Sequence, residues 1–260
     1  MLPSVRVPIE ELLGFLLVLT RVSAALVFVP LPGMRHGPRL ARVVLAAGTA
    51  LALHPLWPAM PGTLPSPAQL LGWLLAEAAL GLTVGVAVSL LNEAFLVAAQ
   101  IFGLPAGYSY AATIDPATEA DSNVLLVFAQ FLAGLLFFSL GLHLEVVRIF
   151  ARSLELYPPG TYLATPAGAE MLLTLGAAMF SIGLRLAMPV VALLLLADLT
   201  LALLGRINAH LQLLMLAFPV KMLAALAMLA AITGLYLKLY RASADRSFGI
   251  LMRVLAGDGG

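Results

Sequence analysis

The sequence contains no cysteine and few charged residues, and each shortage excludes a class of protein. Without cysteine the chain can form no disulfide, thiolate metal site or redox pair. Only 10% of its residues are charged, whereas a typical soluble domain has about a quarter. With 62% hydrophobic residues and a mean hydropathy of +1.04, the chain is predicted to be an integral membrane or membrane-complex protein. Its net charge of +1 argues against a nucleic-acid partner.

The short alternating segments that build a membrane β-barrel are also missing, because the apolar runs are long and rich in Leu and Ala. The predicted fold is therefore all-α, with about six long apolar helices. We expect one membrane-embedded domain over residues 1–260 and a basic, partly flexible tail over 241–260. The apolar segments lie at about 12–29, 43–56, 68–101, 124–144, 168–204 and 211–240.

The distribution of positive charge does not fit six membrane spans. One basic cluster is the loop with Arg35, Arg39 and Arg42, and the other is the tail with Arg241, Arg246 and Arg253. With six spans these two clusters would lie on opposite sides of the membrane, against the positive-inside rule. The second segment is short, and the third and fifth are longer than a bilayer requires. Either two segments do not span, or the helices lie in a protein assembly where the rule has less force.

The central stretch Phe102–Pro116 separates two long apolar runs. It contains Pro105 and Gly107, which disfavour a continuing helix, and Asp115, which the following proline pushes out of helical geometry. Irregular backbone at membrane depth persists only where it is buried in protein or lines a wet cavity. The stretch is therefore either a re-entrant or pore-facing loop, or a short turn outside the membrane.

Five ionisable residues lie within the apolar runs, where each needs a partner because charge is costly in lipid: Glu77, Glu93, Arg185, Asp198 and Lys221. We expect Asp198 to pair with Lys221, because both lie about ten residues from the turn between the last two segments. The second expected pair is Glu77 with Arg185. Such charges form either an ion relay or a set of pairs that fix helix register in an assembly, and the second interpretation is favoured.

Two glycines, Gly81 and Gly85, have the spacing that lets membrane helices pack closely. No pattern of catalytic residues accompanies them. The four histidines are widely separated, and the zinc-protease, serine-hydrolase and phosphate-binding motifs are missing. The sequence therefore predicts no enzyme activity, no metal site and no cofactor.

Several short motifs, taken in order, resemble the family of type III secretion export-gate proteins, which includes flagellar FliR and its counterparts in virulence injectisomes. The resemblance covers about residues 10–240, and the Phe218-Pro219-x-Lys221 ending resembles the flagellar branch. Three positions depart from the family pattern, at Ala217, at Asn208-Ala209-His210 and at Thr113. The motifs are Arg21 with Pro30, the Arg35/Arg39/Arg42 loop, Glu77 with Gly81 and Gly85, Gly107 with Asp115-Pro116, Leu136-Phe137-Phe138, Gly141-Leu142-His143, Tyr157-Pro158-Pro159-Gly160, Asp198, Arg206 and Ala217 to Lys221.

The resemblance implies a structural, channel-forming subunit that assembles with FliP-, FliQ- and FlhB-like proteins in the inner membrane, at the flagellar basal body. Unfolded polypeptides would pass through this gate, and the surrounding lipid would be the other contact. It also implies that the central stretch forms the constriction, with Tyr108, Tyr110, Ile114, Asp115 and Pro116 as the candidate residues.

The alternative function is an ion-coupled secondary transporter that uses Glu77, Asp198 and Lys221. It would require a repeat relation between the two halves of the chain, and the sequence shows none.

Overall fold

The computed structural model describes residues 8–29, 39–57, 65–108, 124–158, 160–162, 166–207, 213–231 and 233–256. These residues form eight α-helices and one short 3-10 helix, His54–Leu56, and no strand. The prediction of an all-α membrane protein is confirmed. The helices are α1 Ile9–Leu26, α2 Arg39–Ala52, α3 Pro67–Ala106, α4 Val124–Ser139, α5 Leu142–Leu156, α6 Pro166–Ile207, α7 Leu213–Ala231 and α8 Thr233–Leu255.

The two over-long apolar segments are single continuous helices. Helix α3 has 40 residues and α6 has 42, so each is about 60 Å long at 1.5 Å per residue, twice the hydrocarbon thickness of a bilayer. Among the described residues, these two helices are long and apolar enough to span a membrane, and counting two bent helix pairs as spans raises the number to four. The conflict in the positive-charge distribution is thus explained most simply by segments that do not span.

The described parts of residues 1–90, 137–175 and 245–260 form one compact unit. Its core is built where α1 packs against the first half of α3 and against α5. Leu17, Val18, Val22, Leu80 and Val84 are fully buried there.

The described parts of residues 91–136 and 176–244 form a second compact unit. Its interior is mostly apolar, and in one of its polar contacts the Tyr240 hydroxyl donates to the side-chain oxygen of Asn92. Phe95 packs edge-on against Tyr240, with ring centroids 4.9 Å apart. The Tyr236 hydroxyl donates to the backbone carbonyl of Leu186 at 3.2 Å, which joins α8 to α6.

Helix α3 continues through Pro105, contrary to the expectation that the chain becomes irregular at Phe102. Pro105 lies in the last helical turn, where its missing N–H removes only one hydrogen bond. The helix ends at Gly107, whose φ of +92° reverses the backbone. The N–H groups of Gly107 and Tyr108 donate to the carbonyls of Leu104 and Gly103 at 3.0 and 3.1 Å. This pattern is the Schellman motif that commonly ends helices at glycine.

The fourth apolar segment, expected over about 124–144, is not one continuous helix. It breaks at Gly141, which adopts a φ of +71°, and α4 and α5 meet at a bend of 65°. The bend turns the charged residues of α5 away from the direction of α4. Glu145 bonds Arg148 and Arg152 bonds Glu155 on the exposed face of α5.

The basic C-terminal tail is helical as far as Leu255, the end of α8. The Arg253 guanidinium donates to the Gly249 carbonyl at 3.3 Å, one turn earlier on the same helix. Residues 241–255 of the tail, which was expected to be partly flexible over 241–260, therefore belong to α8.

We predict that Gly141→Ala lowers the free energy of unfolding by about 1–2 kcal/mol, because alanine disfavours the left-handed backbone at the bend. Chemical unfolding in detergent micelles measures this loss. The matched control is Gly48→Ala, on helix α2, where an added Cβ meets no atom within 4 Å. This control should be neutral or stabilising. Equal losses in both variants would contradict the role assigned to the bend.

Candidate functional site

The most completely buried polar group of the described chain is an ion pair between α1 and α3. Arg21 and Glu77 have no exposed side-chain surface. The Arg21 guanidinium donates from Nε to Glu77 Oε2 at 2.6 Å and from Nη2 to Glu77 Oε1 at 3.0 Å. This two-point geometry uses the planar donor fork of arginine, so it fixes orientation as well as distance.

The remaining hydrogen-bonding capacity of the pair is filled by α5 and the turn that follows it. Arg21 Nη1 donates to Ser153 Oγ at 3.0 Å, and Nη2 donates to the Tyr157 carbonyl at 2.9 Å. The Gly160 N–H donates to Glu77 Oε1 at 3.0 Å. A buried ion pair is tolerated when such additional bonds satisfy its donors and acceptors. One network therefore joins α1, α3, α5 and the 157–160 turn.

Two glycines allow α1 and α3 to approach closely enough for the pair to form. A Cβ at Gly81 would lie 2.1 Å from the Arg21 carbonyl oxygen, and a Cβ at Gly85 would lie 2.5 Å from the Ala25 carbonyl oxygen. Gly81 and Gly85 follow Glu77 at intervals of four residues, so all three lie on one helix face. The close-packing role expected for these glycines is consistent with this geometry.

The 157–160 turn is held against α3 by a third glycine. Gly160 adopts a φ of +79°, and a Cβ there would lie 2.0 Å from Cδ1 of Trp73. The turn therefore needs glycine for its backbone conformation and for its contact with α3. This contact presents the Gly160 N–H to Glu77, one helical turn after Trp73.

The expected pairing of Glu77 with Arg185 is wrong, because Arg21 occupies both carboxylate oxygens of Glu77. Arg21 was named among the family motifs in the sequence analysis but was given no partner. Ser153 and the turn glycine were also missed as contacts. The available signal was the coincidence of one central Arg and one Glu in two apolar helices, which need each other if both helices are buried.

The expected pair of Asp198 and Lys221 is present, with 2.6 Å between Lys221 Nζ and Asp198 Oδ1. It joins α6 to α7, as the equal distance from the intervening turn predicted. The two side chains differ in burial, since Lys221 is 12% exposed and Asp198 is 50% exposed. In this chain alone, the pair lies at the surface of the helix hairpin.

Tyr108 is the one candidate constriction residue in the described part of the chain. Its hydroxyl donates to the Met222 carbonyl at 3.1 Å, next to Lys221 in sequence. Burial raises the pKa of the Tyr108 phenol above its ordinary value, so the hydroxyl remains a donor at neutral pH. The other candidates, Tyr110, Ile114, Asp115 and Pro116, lie outside the described residues.

The described residues offer few groups that could bind a metal ion or a ligand. They contain no group of three or more His, Asp or Glu side chains able to hold a metal ion. A small apolar cleft in the second unit is lined by residues of α3, α4, α7 and α8, which include Phe95, Phe102 and Phe128. It presents no polar surface to a bound molecule. The arrangement is suited to holding helices together.

The sequence model of the family described as bacterial export proteins, family 1, matches residues 12–247 of the chain. The chain belongs to this family. The match includes every residue of the buried network and the Asp198–Lys221 pair. The resemblance noted from the sequence motifs is therefore confirmed at the level of the family.

Three relatives in this export-protein family are each named flagellar biosynthetic protein FliR. The Escherichia coli K12 protein is 29% identical over 221 residues, which are 84% of this chain and 83% of the relative. The Pectobacterium carotovorum protein is 31% identical over 188 residues, 71% of this chain and 69% of the relative. The Bacillus subtilis 168 protein is 28% identical over 219 residues, 83% of this chain and 84% of the relative.

We predict that Gly81→Ala separates α1 from α3, because its Cβ would collide with the Arg21 backbone and not with a flexible side chain. The free energy of unfolding should fall by about 1–3 kcal/mol, the usual range for overpacking. Unfolding in detergent micelles measures the loss. Gly72→Ala on the same helix is the control, because its Cβ meets nothing within 4 Å. Wild-type stability in Gly81→Ala would contradict the close approach.

Proposed function

We propose that this chain is a structural, channel-forming subunit of the flagellar type III export gate. The family match and the FliR relatives support its place as a membrane component of a bacterial flagellar export apparatus. Within that apparatus, we assign it FliP-, FliQ- and FlhB-like partners in the inner membrane, at the basal body. Unfolded flagellar polypeptides would be its transient passengers.

The observation that carries this proposal is the exposed apolar surface of α6. In the stretch of α6 that qualifies as a span, only 22% of the residues are buried within the chain. Leu195, Leu199 and Leu203 are each more than half exposed along this helix. Lipid or other apolar helices must cover such a surface. Packing against neighbouring subunits would cover it without requiring the whole of a 42-residue helix to lie in the bilayer.

The buried network supports a structural role more than an ion-coupled transport role. A transporter carboxylate must exchange its ion or proton with water during the cycle. Glu77 has no exposed surface, and both of its oxygens accept bonds from Arg21. The transporter alternative, which used Glu77 with Asp198 and Lys221, therefore keeps only the partly exposed Asp198–Lys221 pair as support.

The constriction of the gate is proposed to begin at Tyr108. The Schellman motif ends α3 immediately before this residue, and the Tyr108 hydroxyl ties the chain to α7 at Met222. Tyr108, where the constriction is proposed to begin, is therefore held against α7. Apolar and aromatic groups can close a pore to ions and still yield to a passing chain, because their contacts are not directional.

Affinity purification from native membranes through a C-terminal tag, in gentle detergent, tests the assembly. We expect FliP-like and FliQ-like membrane proteins to be recovered with the tagged chain and identified by mass spectrometry. Membranes with the untagged chain provide the control. Recovery of this chain alone, together with solute uptake by liposomes that contain only this chain, would instead support the transporter.

We predict that replacing Tyr108 and Tyr110 together with alanine makes the assembled gate leak small ions, because the aromatic contacts that close it are removed. Membrane conductance of cells that produce the complex measures the leak. Tyr108→Phe is the control, since it keeps the ring and removes only the hydrogen bond to Met222. Unchanged conductance in the double alanine variant would reject these residues as part of the seal.

A further inference from the structure

Arg185 is an isolated cation near the middle of α6. Its side chain is exposed, while Leu186, Ala187 and Val190 on the opposite face of the helix are buried. The close contact of Gly183 with α3, where a Cβ would lie 2.8 Å from Val97 Cγ1, turns that opposite face inward. Arg185 therefore projects from the surface of the second unit.

No hydrogen bond or ion pair joins Arg185 to any residue that the structure describes. The acidic residues in the interiors of α3 and α6 are already engaged, and Glu170 lies near the start of α6, 15 residues before Arg185. Glu77 is bound to Arg21, Asp198 is bound to Lys221, and Glu93 also has an interaction. A second copy of the chain would thus offer Arg185 no unengaged carboxylate from the interiors of α3 and α6.

The surface around Arg185 is apolar along the helix in both directions. Phe180 and Leu184 precede it with 62% and 51% of their surface exposed, and Met188 and Leu195 follow with 52% and 69%. A lone guanidinium in such surroundings is costly, whether lipid or protein covers the face. A lipid phosphate fits poorly, because head groups lie at the membrane edge whereas this apolar surface continues for several turns on either side of Arg185.

The backbone adds a second unmet requirement at the same place. Pro189 follows Arg185 by four residues and has no N–H to donate to the Arg185 carbonyl. The same helical turn therefore carries the Arg185 guanidinium and the Arg185 backbone carbonyl, which receives no hydrogen bond from residue 189.

We propose that Arg185 binds an Asp or Glu carboxylate on an apolar helix of another subunit of the export apparatus. The contact rests on the assembly proposed above and adds the chemistry of the partner helix. The partner helix packs along the Leu184–Met188–Leu195 surface and places its carboxylate opposite the guanidinium. In the closed interface the pair is shielded from water, so it selects both the partner and its register.

Charge reversal in the complete complex tests the contact. Arg185→Glu should reduce recovery of the partner subunit by at least about tenfold, because two carboxylates then face each other. Arg206→Glu on the last turn of α6 is the matched control, since it makes the same charge change on the same helix, away from the proposed contact. The isolated Arg185→Glu chain should unfold like the wild type, because Arg185 has no partner among the described residues.

A photo-cross-linking residue at Met188, one turn from Arg185, identifies the partner peptide by mass spectrometry. Changing the acid of that peptide to arginine should restore recovery of the Arg185→Glu complex. This rescue would separate a lost contact from a folding defect. A cross-link only to lipid or to the same chain would overturn the proposal, as would full recovery of the partner with Arg185→Glu. Failure of the wild-type chain to recover any partner would instead overturn the proposed assembly.

Discussion

The first compact unit depends on the ion pair between Arg21 and Glu77. Two charges without any exposed surface are tolerable there because α5 and the 157–160 turn supply the remaining hydrogen bonds. Gly81 provides the space that lets α1 come close enough for the pair to form. Loss of either charge would leave the other unpaired and buried, so the network specifies one position of α1 along α3.

The Arg21–Glu77 pair, the Asp198–Lys221 pair and Arg185 differ in their exposure at the surface of the chain. The Arg21–Glu77 pair is fully buried, and residues of this chain supply its other hydrogen bonds. In the Asp198–Lys221 pair the Asp198 side chain is half exposed, and Arg185 has no partner in the described residues. A charged side chain in an apolar helix that has no partner in its own chain indicates a partner in another subunit, because lipid cannot compensate the charge. The long exposed face of α6 is the surface on which that neighbour is proposed to pack.

Much of the fold could be predicted from the sequence, because long apolar runs determine long helices. The Asp198–Lys221 pair was also predictable, since helical rise places residues equally distant from a turn at one depth. The partner of Glu77 was not, because Arg21 lies 56 residues away and the pairing depends on which helices pack together. The bend at Gly141 was missed as well, because both flanking sequences are apolar and one glycine with a positive φ does not alter the hydrophobic pattern of the sequence.

The most direct measurement is a double-mutant cycle at the buried pair, with Arg21→Met, Glu77→Leu and the combined variant unfolded in detergent micelles. If the pair fixes α1 on α3, each single variant should lose about 3–5 kcal/mol of unfolding free energy, because each leaves a buried charge unpaired. The combined variant should then lose much less than the sum of the two. Additive losses would show that the two side chains act independently, and would contradict the central place given to this interaction.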